Sequence, residues 1–246
     1  MENVTKSFAG EGDGRNVVLD NVNLEIESGS FVSLMGPSGC GKSTLLNILA
    51  GILEMDSGTL RYDGESVSSD DFFAAYVFQE PRLLNWRTVG ENIRFVLRDQ
   101  DIPEEEYDER ITRELKRVGL LDERDAYPLR LSGGMQQRVG LARALAVNPD
   151  LILMDEPFSA LDELTARKLR RDVITLWQET DTTILFVTHD IVEAIYLADR
   201  ILLMDESGDI FEEVDIGLSR PRSFEDPQLN DIEADVMDDF YSRVDA

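Results

Sequence analysis

Cysteine and histidine each occur once in the chain, as Cys40 and His189, and lysine only four times. A single thiol excludes an internal disulfide framework and agrees with a reducing compartment. Long apolar runs are missing too: no stretch reaches the roughly 18 residues that a membrane-spanning helix needs. The first residues lack the basic and apolar segments of a secretory signal, so a cytoplasmic chain is expected. Basic charge is scarce: 24 Lys and Arg stand against 50 Asp and Glu, for a net charge of −26. That balance opposes nucleic-acid binding through the general surface, which needs clustered Lys and Arg. The basic set is skewed, with 4 Lys against 20 Arg. At about 1 M salt the screening length falls to roughly 3 Å, and the self-repulsion of such a surface becomes tolerable. The composition is therefore read as that of a halophilic protein, with an acidic mesophilic one as the alternative. Disorder is excluded, because 42% of the residues are hydrophobic and they recur periodically.

Those hydrophobic residues group into recognisable elements, in a chain long enough to bury one full core. Phe31 to Met35, Leu151 to Met154 and Thr183 to Val187 are short, nearly continuous apolar runs, as in strands buried on both faces of a parallel sheet. Between the last two, Ala166, Leu169, Val173, Leu176 and Trp177 recur at helical spacing, which predicts a βαβ crossover. Thr59 to Val77 and Arg200 to Val214 carry turn signals at Asp63-Gly64 and Ser207-Gly208-Asp209. Both are expected in a peripheral antiparallel layer. From Glu91 to Val118 the period is helical, with Tyr107, Ile111, Leu115 and Val118 on one face and Pro103 at a helix start. These readings give one domain over residues 1–218, with a helical insertion at about 80–138. An acidic C-terminal tail or helix, 219–246, follows. No internal repeat is visible.

The chemistry begins at Gly36-Pro37-Ser38-Gly39-Cys40-Gly41-Lys42-Ser43-Thr44, which satisfies G-x-x-x-x-G-K-[ST] between an expected strand and an expected helix. Glycines let the backbone turn its N–H groups around phosphate oxygens, and the helix adds about half a positive charge at its N-terminus. Lys42 is placed to reach the β- and γ-phosphates, and the Ser43 hydroxyl to ligate Mg²⁺. A kinase, a GTPase or an ATPase would all use such a loop. The strand Leu151 to Met154 delivers Asp155 and Glu156 at its carboxyl end, where open α/β sheets bind ligands. Asp155 suits indirect coordination of Mg²⁺, and Glu156 suits polarising the attacking water. His189 closes the strand after the crossover and is assigned a polar contact to the γ-phosphate.

Leu131-Ser132-Gly133-Gly134-Met135-Gln136-Gln137-Arg138 narrows the choice, because it resembles the signature of the ATP-binding cassette (ABC) family. The resemblance runs in order through the phosphate loop, Gln79, the signature, Asp155-Glu156, Ser159-Ala160-Leu161-Asp162 and Thr188-His189-Asp190. It implies an α/β P-loop NTPase fold, with a mixed sheet core, an antiparallel β layer and an inserted helical subdomain. It also implies MgATP sandwiched between two cassettes, so that Ser132, Gly133 and Gly134 of one would face the phosphate loop of the other. Gln79 resembles the family's glutamine that senses Mg²⁺ and the attacking water. Asp162 resembles its interface aspartate. Phe8 stands where the family often stacks a tyrosine on adenine; a core aromatic of the first strand is the alternative. Glu80 to Val89 is similar to the nitrate, sulfonate and taurine importers, with Asn85 where many have proline.

The implied partners are a second cassette in a homodimer, membrane permease subunits and, indirectly, a solute-binding protein; no nucleic acid is expected. The implied place is the cytoplasmic face of the membrane. Leu83, Leu84 and Trp86 would either meet a permease or pack inside the insertion. Two rivals remain at this stage. A non-transport cassette of DNA repair or translation lacks support from coiled-coil insertions or a second cassette in the chain, and a small-metabolite kinase leaves the signature unexplained.

Overall fold

The computed structural model describes residues 1–10, 14–68, 72–100, 102–180 and 182–244. The chain opens with β1 (Glu2–Ala9), β2 (Arg15–Val22), β3 (Phe31–Met35) and α1 (Lys42–Leu49). Next come β4 (Ser57–Tyr62), β5 (Glu65–Val67), β6 (Ala74–Val77), α2 (Val89–Leu97), α3 (Tyr107–Arg117) and α4 (Gly133–Leu145). It closes with β7 (Leu151–Asp155), α5 (Glu163–Thr180), β8 (Thr183–Val187), α6 (Ile191–Leu197), β9 (Arg200–Met204), β10 (Ile210–Asp215) and α7 (Pro227–Val244). These elements fall into two compact units, one of Met1–Ala74 with Thr183–Ala246 and one of Ala75–Thr182.

In the first unit, β3 lies between β8 and β9 and runs parallel to both, with Leu34 opposite Val187 and Leu202. Every residue of β3 and β8 is buried, which is why neither shows a polar/apolar alternation. Phe31 and Phe186 meet edge to face at 6.2 Å between ring centroids. A separate antiparallel sheet has the order β2-β1-β4-β5. The turn signals at Asp63-Gly64 and Ser207-Gly208-Asp209 do connect antiparallel neighbours, β4 with β5 and β9 with β10. The expected layer, however, needs correcting. Only β4 and β5 of the assigned stretches belong to it: β9 lies beside β3 and β10 beside β9 in this unit, while β6 lies beside β7 in the second unit. The fully apolar run Ile201 to Met204 is the physical reason: it is buried on both faces, as a peripheral strand would not be. α7 packs on α6, burying Leu229 and Val236, and Tyr196 of α6 stacks on Phe224 at 4.1 Å.

In the second unit, β6 and β7 are neighbours and the remainder is helical. The period noted from Glu91 to Val118 resolves into two helices. α2 starts on a capping box in which Thr88 and Glu91 satisfy each other's backbone amides. Pro103 heads a 3₁₀ turn, Glu104–Glu106, one turn ahead of α3. Tyr107, Ile111, Leu115 and Val118 are all buried, about 1.5–3 kcal/mol for each full aliphatic side chain.

Candidate nucleotide site

The phosphate loop of the first unit follows β3 and ends at Gly41, whose φ of 112° only glycine adopts readily. A Cβ on Gly41 would lie 2.8 Å from Leu19 Cδ2, and one on Gly36 would lie 2.6 Å from the Met204 carbonyl oxygen. Both glycines are thus dictated by how closely the loop meets its own unit. Pro37 is half-buried, Ser38, Gly39 and Ser43 are exposed, and Thr44 is half-buried inside α1. Lys42 is 8% exposed and its ammonium donates to the carbonyl oxygens of Gly36 and Pro37, at 2.8 Å each. Its charge is thereby folded back over the loop. Cys40 is buried, and that burial pushes its thiol up against the pull of Lys42, which leaves an unreactive small side chain.

His189 lies one residue beyond Thr188, whose amide bonds Leu34 of the adjacent β3 at 3.4 Å. The loop and His189 therefore stand at the carboxyl ends of neighbouring parallel strands, where α/β sheets bind ligands. The position of His189 is framed by buried Thr188, whose hydroxyl donates to Glu193 at 2.6 Å and accepts from the Asp190 amide at 3.0 Å. Phe8 sits near the end of β1, 41% exposed, with Lys6 Nζ 5.6 Å from its ring. At that exposure Phe8 is not a core aromatic of the strand.

In the second unit, β7 ends in Asp155, and Glu156 follows with φ of +42°, the left-handed region that costs a non-glycine residue about 1–2 kcal/mol. Gln79 is exposed after β6, and its amide donates to Ser159 Oγ at 3.0 Å. Ser159 Oγ in turn donates to the Glu156 carbonyl at 2.9 Å. Gln79, Ser159 and Glu156 are thus one connected cluster. Asp155 accepts from the Tyr76 hydroxyl at 3.1 Å. Burial, then the charge of Asp155, pushes that phenol well above its ordinary range, so it remains a donor.

The signature turn opens α4. Ser132 is its N-cap, accepting from the Met135 amide at 3.3 Å, and both Ser132 and Gly133 are exposed. Gly134 is the crowded one, since a Cβ there would lie 2.3 Å from Thr165 Cγ2. Asp162 is exposed, and hydrogen bonds from Thr165 hold its carboxyl below the usual range. Three residues escaped the sequence reading: Tyr76, Ser159 as a bridge, and Gln137. Gln137 is buried on α4 and donates to the carbonyls of Phe78 and Gln79 at 3.3 and 2.5 Å, which ties the signature helix to the Gln79 loop. Their contacts span long sequence separations, so only the repeated glutamine of the signature gave a local hint.

The residues present fit a magnesium nucleotide. The loop bends its backbone at Gly39 and Gly41 with a cation folded over it and carries the Ser43 hydroxyl, a hard oxygen donor; in the second unit the Asp155 carboxylate is another. Among the described residues, no cluster of three or more His, Cys, Asp or Glu could hold a metal alone.

A family model described as ABC transporter matches residues 19–159. An uncharacterised ABC transporter ATP-binding protein of Methanocaldococcus jannaschii is 46% identical over 90% of this chain and 83% of its own length. The aliphatic sulfonates import ATP-binding protein of Pseudomonas syringae pv. syringae is 44% identical, over 94% of this chain and 91% of its own. A solved dimeric ATP-binding cassette in a post-hydrolysis state, bound to ADP and Pi, superposes with a TM-score of 0.76. It is 35% identical and covers 89% of this chain and 98% of that one. Phosphate loop, strand-end carboxylates and signature turn stand in the family's order on the family's fold, and the chain belongs to the ABC transporter family as one of its ATP-hydrolysing cassettes.

Proposed function

We propose that this cassette powers the import of a small solute of the sulfonate, nitrate or taurine type. It would act at the cytoplasmic face of the membrane, as a homodimer docked on two permease subunits and fed by a solute-binding protein. The observation that carries the catalytic part is Glu156, held in a strained left-handed backbone and bridged through Ser159 to Gln79. Strain of this kind persists where the surroundings enforce it, as they do at working carboxylates. Support for the solute comes from the sulfonate-import relatives, and support for docking on a permease from Trp86, which is 74% exposed in the loop following Gln79. Among the described residues no helix is long and apolar enough to cross a membrane.

In this reading Lys42 exchanges the Gly36 and Pro37 carbonyls for phosphate oxygens, while the backbone of Gly39 to Ser43 cradles the anion. Phe8 stacks on adenine. Ser43 and Gln79 would hold Mg²⁺ directly and Asp155 through water, and the ion would supply charge neutralisation to the phosphates. Glu156 orients the attacking water and accepts its proton, and His189 holds the γ-phosphate. Ser132, Gly133 and Gly134 complete the partner's site rather than their own chain's, with Asp162 at the same interface.

Glu156→Gln should retain MgATP binding and lose turnover by at least about 100-fold, measured as phosphate released without any acceptor. Near-normal release would remove Glu156 from its role, and a phosphorylated acceptor would favour a kinase. For the solute, proteoliposomes carrying the permease and this cassette, supplied with the solute-binding protein, should show ATPase stimulated by an alkanesulfonate; stimulation by a cationic solute instead would overturn the sulfonate-type reading. The charge of −26 supports a halophilic host, so activity and stability should peak in molar KCl. Full stability in dilute buffer would contradict that.

A further inference from the structure

Tyr76, which none of the motifs names, touches the nucleotide machinery. Tyr76 lies on β6, whose alternation buries Ala75 and Val77 and puts Ala74 and Tyr76 on the other face. Phe78 follows at the same parity, and the two rings stack at 4.3 Å between centroids with 21° between planes. The Arg82 guanidinium caps the stack, 4.4 Å from the Phe78 centroid. The phenol is therefore held by its ring, not by its hydroxyl. That hydroxyl donates to Asp155 Oδ2 at 3.1 Å, at the carboxyl end of the neighbouring β7.

We propose that Tyr76 is a positioning residue for the metal-bearing carboxylate: its hydroxyl fixes the plane of Asp155 so that the group meets the hydration shell of Mg²⁺ in one orientation. This rests on the assignment of Asp155 to Mg²⁺ made above. A carboxylate accepts at about four lone-pair directions, so one bond from Tyr76 orients it and leaves the rest for other partners. Partners behind a metal-bearing group typically contribute 10–100-fold to metal affinity. Because Asp155 is assigned to an indirect, water-mediated role, the low end of that range applies. A tyrosine that merely rests its hydroxyl on the nearest acceptor would contribute to folding and not to metal affinity.

Tyr76→Phe separates the two, since it preserves the ring stack and deletes one oxygen. The probe is Mn²⁺ in place of Mg²⁺, its free and bound fractions read by electron paramagnetic resonance, with a non-hydrolysable ATP analogue on the full chain. Tyr76→Phe should weaken Mn²⁺ binding about tenfold. Metal-free binding of the analogue, measured in EDTA, should stay within about twofold. Asp155→Asn, run alongside, should weaken Mn²⁺ by more than Tyr76→Phe does. If Asp155→Asn weakens Mn²⁺ while Tyr76→Phe leaves it unchanged, the positioning role is overturned and the assignment of Asp155 stands. If neither variant changes Mn²⁺ affinity, the assignment of Asp155 falls and takes the positioning role with it. An equal loss of metal-free nucleotide binding in Tyr76→Phe would mark general damage to the loop and equally overturn the proposal.

Discussion

The phosphate loop and the signature turn are both glycine-rich entries to a helix, yet they are embedded in opposite ways. The phosphate loop is pressed into its own unit: Gly36 and Gly41 have no room for a Cβ, and Lys42 is only 8% exposed. The signature turn is pressed in only at Gly134, while Ser132 and Gly133 stand exposed at the helix start. A Cβ on Gly133 would meet nothing nearer than Leu161 Cδ2 at 3.5 Å, an ordinary contact. One turn is finished within the chain. The other presents N–H groups and a hydroxyl outward, as a surface made for a second molecule does. On the proposed function, the difference would separate nucleotide binding, carried by one chain, from hydrolysis, shared by two.

Substitutions can break this contrast or sharpen it. Lys42→Ala should have the largest effect, lowering hydrolysis by about 100- to 1,000-fold and weakening nucleotide binding by a single chain, measured by titration with a fluorescent analogue. Gly41→Ala comes next. Its φ of 112° and the 2.8 Å approach to Leu19 should cost about 2–3 kcal/mol, seen as a lower thermal midpoint together with lost nucleotide affinity. Gly133→Ala is the matching change in the other turn. It should leave the thermal midpoint and single-chain affinity within error, yet weaken ATP-driven pairing about tenfold by sedimentation, because the added methyl stands on the mating surface. Loss of single-chain affinity in Gly133→Ala would erase the contrast.

The smallest effect is expected away from both turns. The hydroxyl of Ser7 and the ammonium of Lys6 hold the Asp56 carboxyl at about 2, below its ordinary 3.8. A depressed carboxylate contributes stability that is complete above its unfolded pKa and is lost as pH falls through the folded one. Asp56→Asn should therefore change acid unfolding only between about pH 4 and pH 2, and slightly, because the group is solvent-exposed. Nucleotide binding and pairing should not move.

Much of this was legible in the sequence, for physical reasons that differ by feature. The buried strands Phe31–Met35 and Thr183–Val187 announce themselves as unbroken apolar runs, and the phosphate loop is a local backbone shape that only its glycines allow. Turn chemistry at Ser207-Gly208-Asp209 identified a hairpin but could not say which sheet it joins, since β9 pairs with β3, far away in the chain. The same holds for Tyr76 with Asp155 and for Gln137 with Gln79: neither pair has a local pattern, and each depends on the neighbours that the fold supplies.

The central claim is that one chain carries half a reaction centre and a second copy completes it. Sedimentation of the Glu156→Gln protein with MgATP tests this most directly, alone and combined with Ser132→Arg. A dimer should form on adding ATP, and Ser132→Arg should keep the protein monomeric while each chain still binds ATP with unchanged affinity. Undiminished dimerisation of the Ser132→Arg protein, or no dimer with ATP in either protein, would contradict it.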